Sequence, residues 1–197
     1  VSYQKDYFVI GSDKSGYRHL YKYAYTGSLI SQLTKGDFNI TELYGFDKNG
    51  NAYVQGTMLG AINRNVARLD KNGKMSILHQ NPGFESASFS SDYSYYVRTF
   101  SDIDTPTQYT LWSSKGSKIA ELEMNRTYAA KYADAPKKEL LKVKNAVGEE
   151  MDAYIIRPSD FDPNKKYPLL TYQYNGPDSQ QVLNKWLTIG LTGQFVN

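Results

Sequence analysis

Tyr174 lies at the end of an apolar segment, and the turn residues Asn175-Gly176-Pro177 follow it directly. The segment 167–174 (Tyr-Pro-Leu-Leu-Thr-Tyr-Gln-Tyr) is typical of a strand that is covered on both faces. Enzymes built on α/β sheets place their chemistry at the carboxyl ends of such strands. We therefore expect Tyr174 to present its phenol at a functional edge, although packing under a loop would explain the same residue.

Acyl transfer needs a nucleophile and a base, and neither is recognisable in this sequence. The nucleophile elbow Gly-x-Ser-x-Gly does not occur, and the absence of Cys excludes a cysteine nucleophile and disulfides. His19 and His79 lie in strand-like segments without a Ser or Asp partner at a recognisable spacing, so we interpret both as structural. Asp102 and Asp104 share a loop without a third ligand, and we predict neither a metal site nor a cofactor.

The residues before 125 repeat with a period of 43 to 46 residues. Each complete unit contains an opening strand with a Phe eight residues before the Val of the triplet, a strand that begins with the triplet, a third strand, a turn with Gly, and a fourth strand. The triplets are 7–9, 52–54 and 95–97, and the turn glycines are Gly27, Gly73 and Gly116.

Four short antiparallel strands in this period match one blade of a β-propeller. No opening strand is recognisable in the first unit, which we interpret as a cut at the N-terminus, leaving two complete blades and most of another. A closed ring needs about 4–8 blades. We therefore expect apolar blade faces to be exposed, or to be covered by a second copy of the chain in a homodimer.

The sequence changes character after residue 125. Residues 128–138 are rich in alanine, 139–157 predict a β-hairpin, 158–163 predict a capped turn, and 179–191 predict a helix. A hairpin, a strand, a Gly-Pro turn and a helix in this order are typical of the start of an α/β-hydrolase domain. The predicted fold is thus mainly β: propeller blades over 1–126, a linker over 127–137, and a truncated hydrolase domain over 138–197.

Composition excludes several partners. The net charge is +3, and the Lys and Arg residues are scattered, so we expect no nucleic-acid partner. No apolar run approaches the ~20 residues of a membrane helix, so we expect no membrane partner. The 18 Tyr residues suit half-buried pleated surfaces.

Two segments resemble the dipeptidyl peptidase IV family. They are Ser-Asp-Lys-Ser-Gly-Tyr-Arg-His-Leu-Tyr over 12–21, and the long segment 157–180 that contains the Tyr-Asn-Gly-Pro turn. The resemblance covers essentially the whole chain and implies late propeller blades followed by the first hydrolase strands. It implies a serine exopeptidase of the prolyl oligopeptidase clan that releases X-Pro or X-Ala dipeptides from peptide N-termini. The variant is most similar to bacterial forms, which implies a periplasmic or secreted location.

The resemblance assigns one catalytic role inside the chain. Tyr174 matches the tyrosine whose hydroxyl helps to form the oxyanion hole, and Asn175 and Gly176 would shape the turn that presents it. The family's catalytic Ser, Asp and His would lie beyond this sequence, and the glutamates that hold the substrate's amino group would lie before it. The pair Glu149-Glu150 falls in the wrong domain for that role. The resemblance therefore implies a peptide substrate for the whole protein and no peptidase activity for this chain alone.

Two alternatives remain open. One is an acylaminoacyl peptidase or oligopeptidase of the same clan, which would lack the paired glutamates upstream. The other is a propeller binding module with a vestigial hydrolase, which would lack the Gly-x-Ser-x-Gly elbow downstream.

Overall fold

The computed structural model describes residues 1–174, 176 and 179–186. The first 123 residues form three four-stranded antiparallel sheets in sequence order. The first sheet contains β1 (Ser2–Tyr3), β2 (Tyr7–Ser12), β3 (His19–Ala24) and β4 (Leu29–Gln32). The second contains β5 (Ile40–Phe46), β6 (Ala52–Gly56), β7 (Asn65–Leu69) and β8 (Met75–Ile77). The third contains β9 (Phe84–Phe89), β10 (Tyr95–Ser101), β11 (Gln108–Ser113) and β12 (Lys118–Glu123).

The repeat predicted from the sequence is confirmed strand by strand. The apolar triplets begin β2, β6 and β10, and the three glycine turns join the last two strands of each sheet. At Gly27, Gly73 and Gly116 the φ angles are 88°, 86° and 91°, in the left-handed region that favours glycine. Equivalent residues therefore make equivalent turns.

The first sheet has an opening strand, so the prediction that it lacks one is wrong. Ser2 and Tyr3 form β1 and pair with Val9 and Phe8 of β2. The strand is two residues long, which is too short for an alternation of polar and apolar residues to reveal it.

The core lies between the sheets. One cluster joins the first two sheets through Val9, Leu20, Ile40, Val54 and Ala67. A second joins the second and third sheets through Val66, Ala87 and Tyr96. Neighbouring residues of a strand point to opposite faces, so Val66 and Ala67 contribute to different clusters. The second sheet is therefore covered on both faces, and all five residues of β6 are buried.

Some apolar side chains of the strands at the sheet edges are exposed. Leu29 and Ile30 of β4 are about half exposed, at 50% and 51%. Ile119 and Leu122 of β12 are exposed to the same degree. Nothing in the structure shows what would cover these strands.

The chain after β12 folds differently. Helix α1 (Arg126–Lys131) begins at the last residue of the predicted blade region and continues into the predicted linker over 127–137. No helix among the described residues is long and apolar enough to cross a membrane. The predicted hairpin is confirmed as β13 (Lys138–Lys144) and β14 (Glu150–Ile156), paired along their whole length. Between α1, the hairpin and Trp186 lies a cavity of about 390 Å³.

Two elements predicted after the hairpin differ in the structure. Residues 167–174 run without strand pairing, and Leu169 and Leu170 are 79% and 67% exposed. A strand forms only when its backbone pairs with a neighbouring strand, and no described residue pairs with this segment. The helix predicted over 179–191 is absent from 179–186, and the rest of that prediction lies outside the described residues.

Candidate functional site

The segment that leads to Tyr174 is organised by local turns. The N–H of Phe161 donates to the carbonyl of Pro158 over 3.1 Å, which closes the predicted turn. Asp162 caps the next turn, because its carboxylate accepts the N–H of Asn164 over 2.9 Å. The hydroxyl of Tyr167 accepts the N–H of Asp162 over 2.9 Å. These contacts are all short-range, so they shape the segment without attaching it to the blades.

Tyr174 is exposed and rests on Gly176. Its side chain is 57% accessible, and no described residue hydrogen-bonds to its hydroxyl. A β-carbon at residue 176 would overlap the phenol ring of Tyr174 as it lies in the structure, so any larger residue there would require this exposed ring to move. Asn175 and Pro177 lie outside the described residues, so the predicted role of Asn175 and Gly176 in shaping this turn stays a prediction. The phenol can donate a hydrogen bond to an oxyanion brought to this surface.

The chain beyond this turn docks on two blade loops. The side-chain amide of Gln180 donates to the carbonyl of Ala61 over 2.9 Å. The N–H of Asn184 donates to the carbonyl of Ile62, also over 2.9 Å. The ammonium of Lys185 lies 4.3 Å from the centroid of the Phe84 ring. The apolar loop 58–62 therefore provides backbone acceptors for the C-terminal segment.

Asn63 organises the loop that receives this segment. Its side chain is buried, donates to the carbonyl of Leu59 over 2.7 Å, and accepts the N–H of Gly83 over 2.8 Å. The same oxygen accepts the side-chain amide of Asn184 over 3.0 Å. Two sequence-distant loops and the C-terminal segment thus meet at one buried amide.

The loop that follows β10 completes the docking surface. The N–H of Ile103 donates to the side-chain oxygen of Asn184 over 3.2 Å. The carboxylate of Asp102 accepts the N–H groups of Asp104 and Thr105 over 2.9 and 2.6 Å, so it caps its own loop. Among the described residues, no group of three or more His, Asp or Glu side chains could hold a metal ion.

A buried charged cluster lies where the second and third sheets meet. Glu85 is fully buried in β9, 3.4 Å from Arg98 Nε, and its Oε1 has no hydrogen-bond partner among the described residues. Burial raises the pKa of Glu85 to about 7, although the Arg98 guanidinium lowers it. His79 Nε2 lies 2.9 Å from the Tyr96 hydroxyl and 3.8 Å from Glu85. Burial, with the charge of Arg98, lowers the pKa of His79 to about 4.

These contacts support a structural role for both histidines. His79 follows β8 rather than lying in it, and no described serine hydroxyl hydrogen-bonds to its ring. The ring of His19 is buried, and its nitrogens lie 3.1 Å from Thr34 Oγ1 and 3.0 Å from the carbonyl of Gly36. Neither imidazole is available to a substrate.

Sequence reasoning missed the charged cluster and the two docking asparagines. The cluster carries a signal, since Glu85 and Arg98 occupy inward-facing positions of strands whose other inward residues are apolar. Asn63 and Asn184 give no such signal in the sequence, because asparagine is common in loops, where its side chain often hydrogen-bonds to the nearby backbone.

Comparison with known proteins gives a consistent result. The family model described as the dipeptidyl peptidase IV N-terminal region matches residues 1–107. Dipeptidyl peptidase 4 of Arthroderma otae is 32% identical over 190 residues, which cover 92% of this chain and 24% of that protein. The enzyme of the same name from Trichophyton rubrum is 30% identical over the same length, with the same coverage of both chains.

A solved structure supports the same relationship. The crystal structure of Porphyromonas gingivalis dipeptidyl peptidase 4 superposes with a TM-score of 0.87 and 34% identity, covering 95% of this chain and 27% of that one. The predicted fold class is confirmed, and the three sheets are propeller blades. The chain spans about a quarter of the length of the curated relatives it matches. On these grounds it belongs to the dipeptidyl peptidase IV family.

Proposed function

We propose that this chain is part of a serine dipeptidyl peptidase that releases X-Pro or X-Ala dipeptides from peptide N-termini. In that enzyme Tyr174 donates a hydrogen bond to the oxyanion, and the substrate is a peptide with a free amino terminus. The matched relatives are dipeptidyl peptidases, which favours this activity over that of an acylaminoacyl peptidase or an oligopeptidase. We also propose a periplasmic or secreted location, as the resemblance to bacterial forms implies.

The observation that carries the proposal is the exposed phenol of Tyr174 on Gly176, in a member of this family. A phenol hydroxyl that faces the substrate can donate a hydrogen bond to the carbonyl oxygen as negative charge develops on it. Loss of one such donor costs about 2.7–4 kcal/mol of transition-state stabilisation. The donor acts on the charged intermediate more than on the bound peptide, so its loss affects kcat more than KM.

The remaining chemistry must come from outside this sequence. The chain contains no Gly-x-Ser-x-Gly elbow, and both of its histidines are engaged inside the blades. A serine peptidase needs its serine nucleophile and the base that activates it for efficient acyl transfer. We therefore propose that the 197-residue chain alone is inactive and that it serves the enzyme by presenting Tyr174.

The test is Tyr174→Phe in the full-length protein that contains this chain. We expect kcat to fall about 100- to 1000-fold on a Gly-Pro chromogenic substrate, with little change in KM. Tyr172→Phe is the matched control, because Tyr172 is also exposed, at 63%, and lies two residues away; it should retain wild-type kcat. Equal kcat in the two variants would remove Tyr174 from the oxyanion role. Cleavage by the isolated chain would contradict its proposed inactivity, and no cleavage by the full-length protein would favour a binding module.

A further inference from the structure

The second and third blades meet at a narrow seam beside the docked segment. Arg64 lies directly before β7, donates its backbone N–H to the carbonyl of Gly83 over 2.8 Å, and accepts the N–H of Glu85 over 2.8 Å. The side-chain oxygen of Asn63 also accepts the N–H of Gly83 over 2.8 Å. The backbones approach closely here, since a β-carbon at residue 83 would lie 2.7 Å from the carbonyl oxygen of Ser101. We call this group of contacts the second seam.

The first and second blades meet at an equivalent first seam. Arg18 lies directly before β3, as Arg64 lies before β7, and its carbonyl accepts the N–H of Ile40 over 2.7 Å. The side-chain oxygen of Asn39 accepts the N–H of Arg18 over 2.7 Å. Among the described residues, no hydrogen bond joins this seam to the docked segment 180–186, which we call the strap. The two seams therefore show the same backbone contact without the strap and beside it.

The strap binds the second blade through two side chains. The side-chain amide of Gln180 donates to the carbonyl of Ala61, and its oxygen accepts from the guanidinium of Arg64. The side-chain amide of Asn184 donates to the side-chain oxygen of Asn63 over 3.0 Å. Two of these partners, Arg64 and Asn63, are themselves members of the second seam.

The strap also binds the third blade. The side-chain oxygen of Asn184 accepts the N–H of Ile103 over 3.2 Å, and the N–H of Trp186 donates to the hydroxyl of Ser101 over 3.4 Å. Asn184 therefore holds both sides of the second seam with one side chain. A group that binds the closed arrangement of two elements, and not the separated one, stabilises the closed arrangement.

We propose that the strap is a closing device for the second seam, so that the second and third blades separate at this end only after the strap has been released. The first seam opens independently of it. The two seams thus differ in one property: only the second responds to the chain that follows the blades. This inference concerns the blades alone and does not depend on the proposed role of Tyr174.

The test is hydrogen–deuterium exchange of the full-length protein that contains this chain, followed by mass spectrometry of peptides that contain Ile40, Glu85 or Ile103. The exchange rate of a hydrogen-bonded amide reports how often its surroundings open. Asn184→Ala removes both side-chain contacts of the strap with the seam. We expect the Glu85 amide to exchange about tenfold faster in this variant, while the Ile40 amide keeps its wild-type rate.

A second variant and a control accompany this measurement. Gln180→Ala frees the strap from Ala61 and Arg64 only, and should accelerate exchange at Glu85 about threefold. Gln180 is exposed, so this variant carries the same comparison if Asn184→Ala does not fold. Asn164→Ala is the matched control and should change none of the three rates, because the Asn164 side chain hydrogen-bonds within its own turn.

Two outcomes would overturn the proposal. Faster exchange at Ile103 with an unchanged rate at Glu85 would show that the strap docks on the loops without closing the seam. Equal acceleration at Glu85 and Ile40 would show a general loss of stability rather than opening of one seam. Acceleration at Glu85 and Ile103, with Ile40 and the control unchanged, supports the closing role.

Discussion

The blades and the chain that follows them use the same backbone hydrogen bonding but differ in burial. The hairpin of β13 and β14 pairs as regularly as β6 with β7. Every residue of β6 is buried, whereas no described residue beyond Thr110 is. A cavity of about 390 Å³ lies beside the hairpin. Between neighbouring blades, by contrast, buried side chains pack against each other.

The difference shows that pairing and burial are separate sources of order. A two-stranded hairpin in water is marginally stable on its own, whereas stacked sheets bury apolar area on both faces. The blades are therefore held by packing. The C-terminal segment is held by a few polar contacts, which specify a position but contribute little to the overall free energy of unfolding.

The largest expected contrast is between a buried and an exposed ion pair. At about pH 8, above the raised pKa of Glu85, the carboxylate is ionised, and Glu85→Ala leaves Arg98 charged and uncompensated inside the blades, so we expect the free energy of unfolding to fall by about 3–5 kcal/mol. Glu139→Ala removes an exposed partner of Arg157 from the hairpin and should cost less than about 1 kcal/mol. Urea denaturation of the two variants measures both effects. Similar losses of unfolding free energy in the two variants would contradict the proposed difference in burial between the blades and the hairpin.

A second contrast uses one substitution in both regions. Leu20→Ala leaves a cavity in the cluster between the first two blades and should cost about 2–5 kcal/mol. Leu169→Ala removes a side chain that is 79% exposed and should change stability by less than about 0.5 kcal/mol. A large loss for Leu169→Ala in this chain would show that the segment is packed after all.

The smallest expected effect is a pH dependence specific to the blades. The pKa of Glu85 is raised from 4.5 to about 7, so its protonation stabilises the fold below pH 4.5, and this contribution is lost as the pH rises to 7. The pKa of His79 is lowered from 6.5 to about 4, so its contribution is present above pH 6.5 and is lost as the pH falls to 4.

The two slopes oppose each other between pH 4.5 and 6.5, so wild-type stability should be nearly flat there. Glu85→Gln should leave the His79 slope, with stability falling as the medium is acidified. His79→Gln should leave the Glu85 slope, with stability falling as the pH rises. Unfolding free energies measured across this range check the signs. Parallel profiles for the two variants would rule out this assignment.

The repeat made the blade half predictable from sequence. Equivalent strands and glycine turns recur at nearly constant spacing. A strand recognised in one unit therefore predicts the position of the equivalent strand in the other units. Only β1 was missed, because two residues carry no period. The hairpin was also predicted, since its alternation and its turn are local properties of the sequence.

The segment around Tyr174 shows where sequence reasoning stops. Its apolar residues predict a covered strand, but a strand forms only against neighbours, and the described residues provide none. The docking at Asn63 and Asn184 joins positions 121 residues apart and has no compositional signal. The role of Tyr174 and the predicted domain boundaries remain predictions.

The geometry of Asn63 also bears on the order of folding. Leu59 and Gly83 already hold its side chain, so the acceptor that Asn184 meets is formed by the blades alone. We expect the propeller loops to reach their final shape first and the segment that carries Tyr174 to attach last. Tyr174 would then reach its place only after the blades that receive the segment have folded.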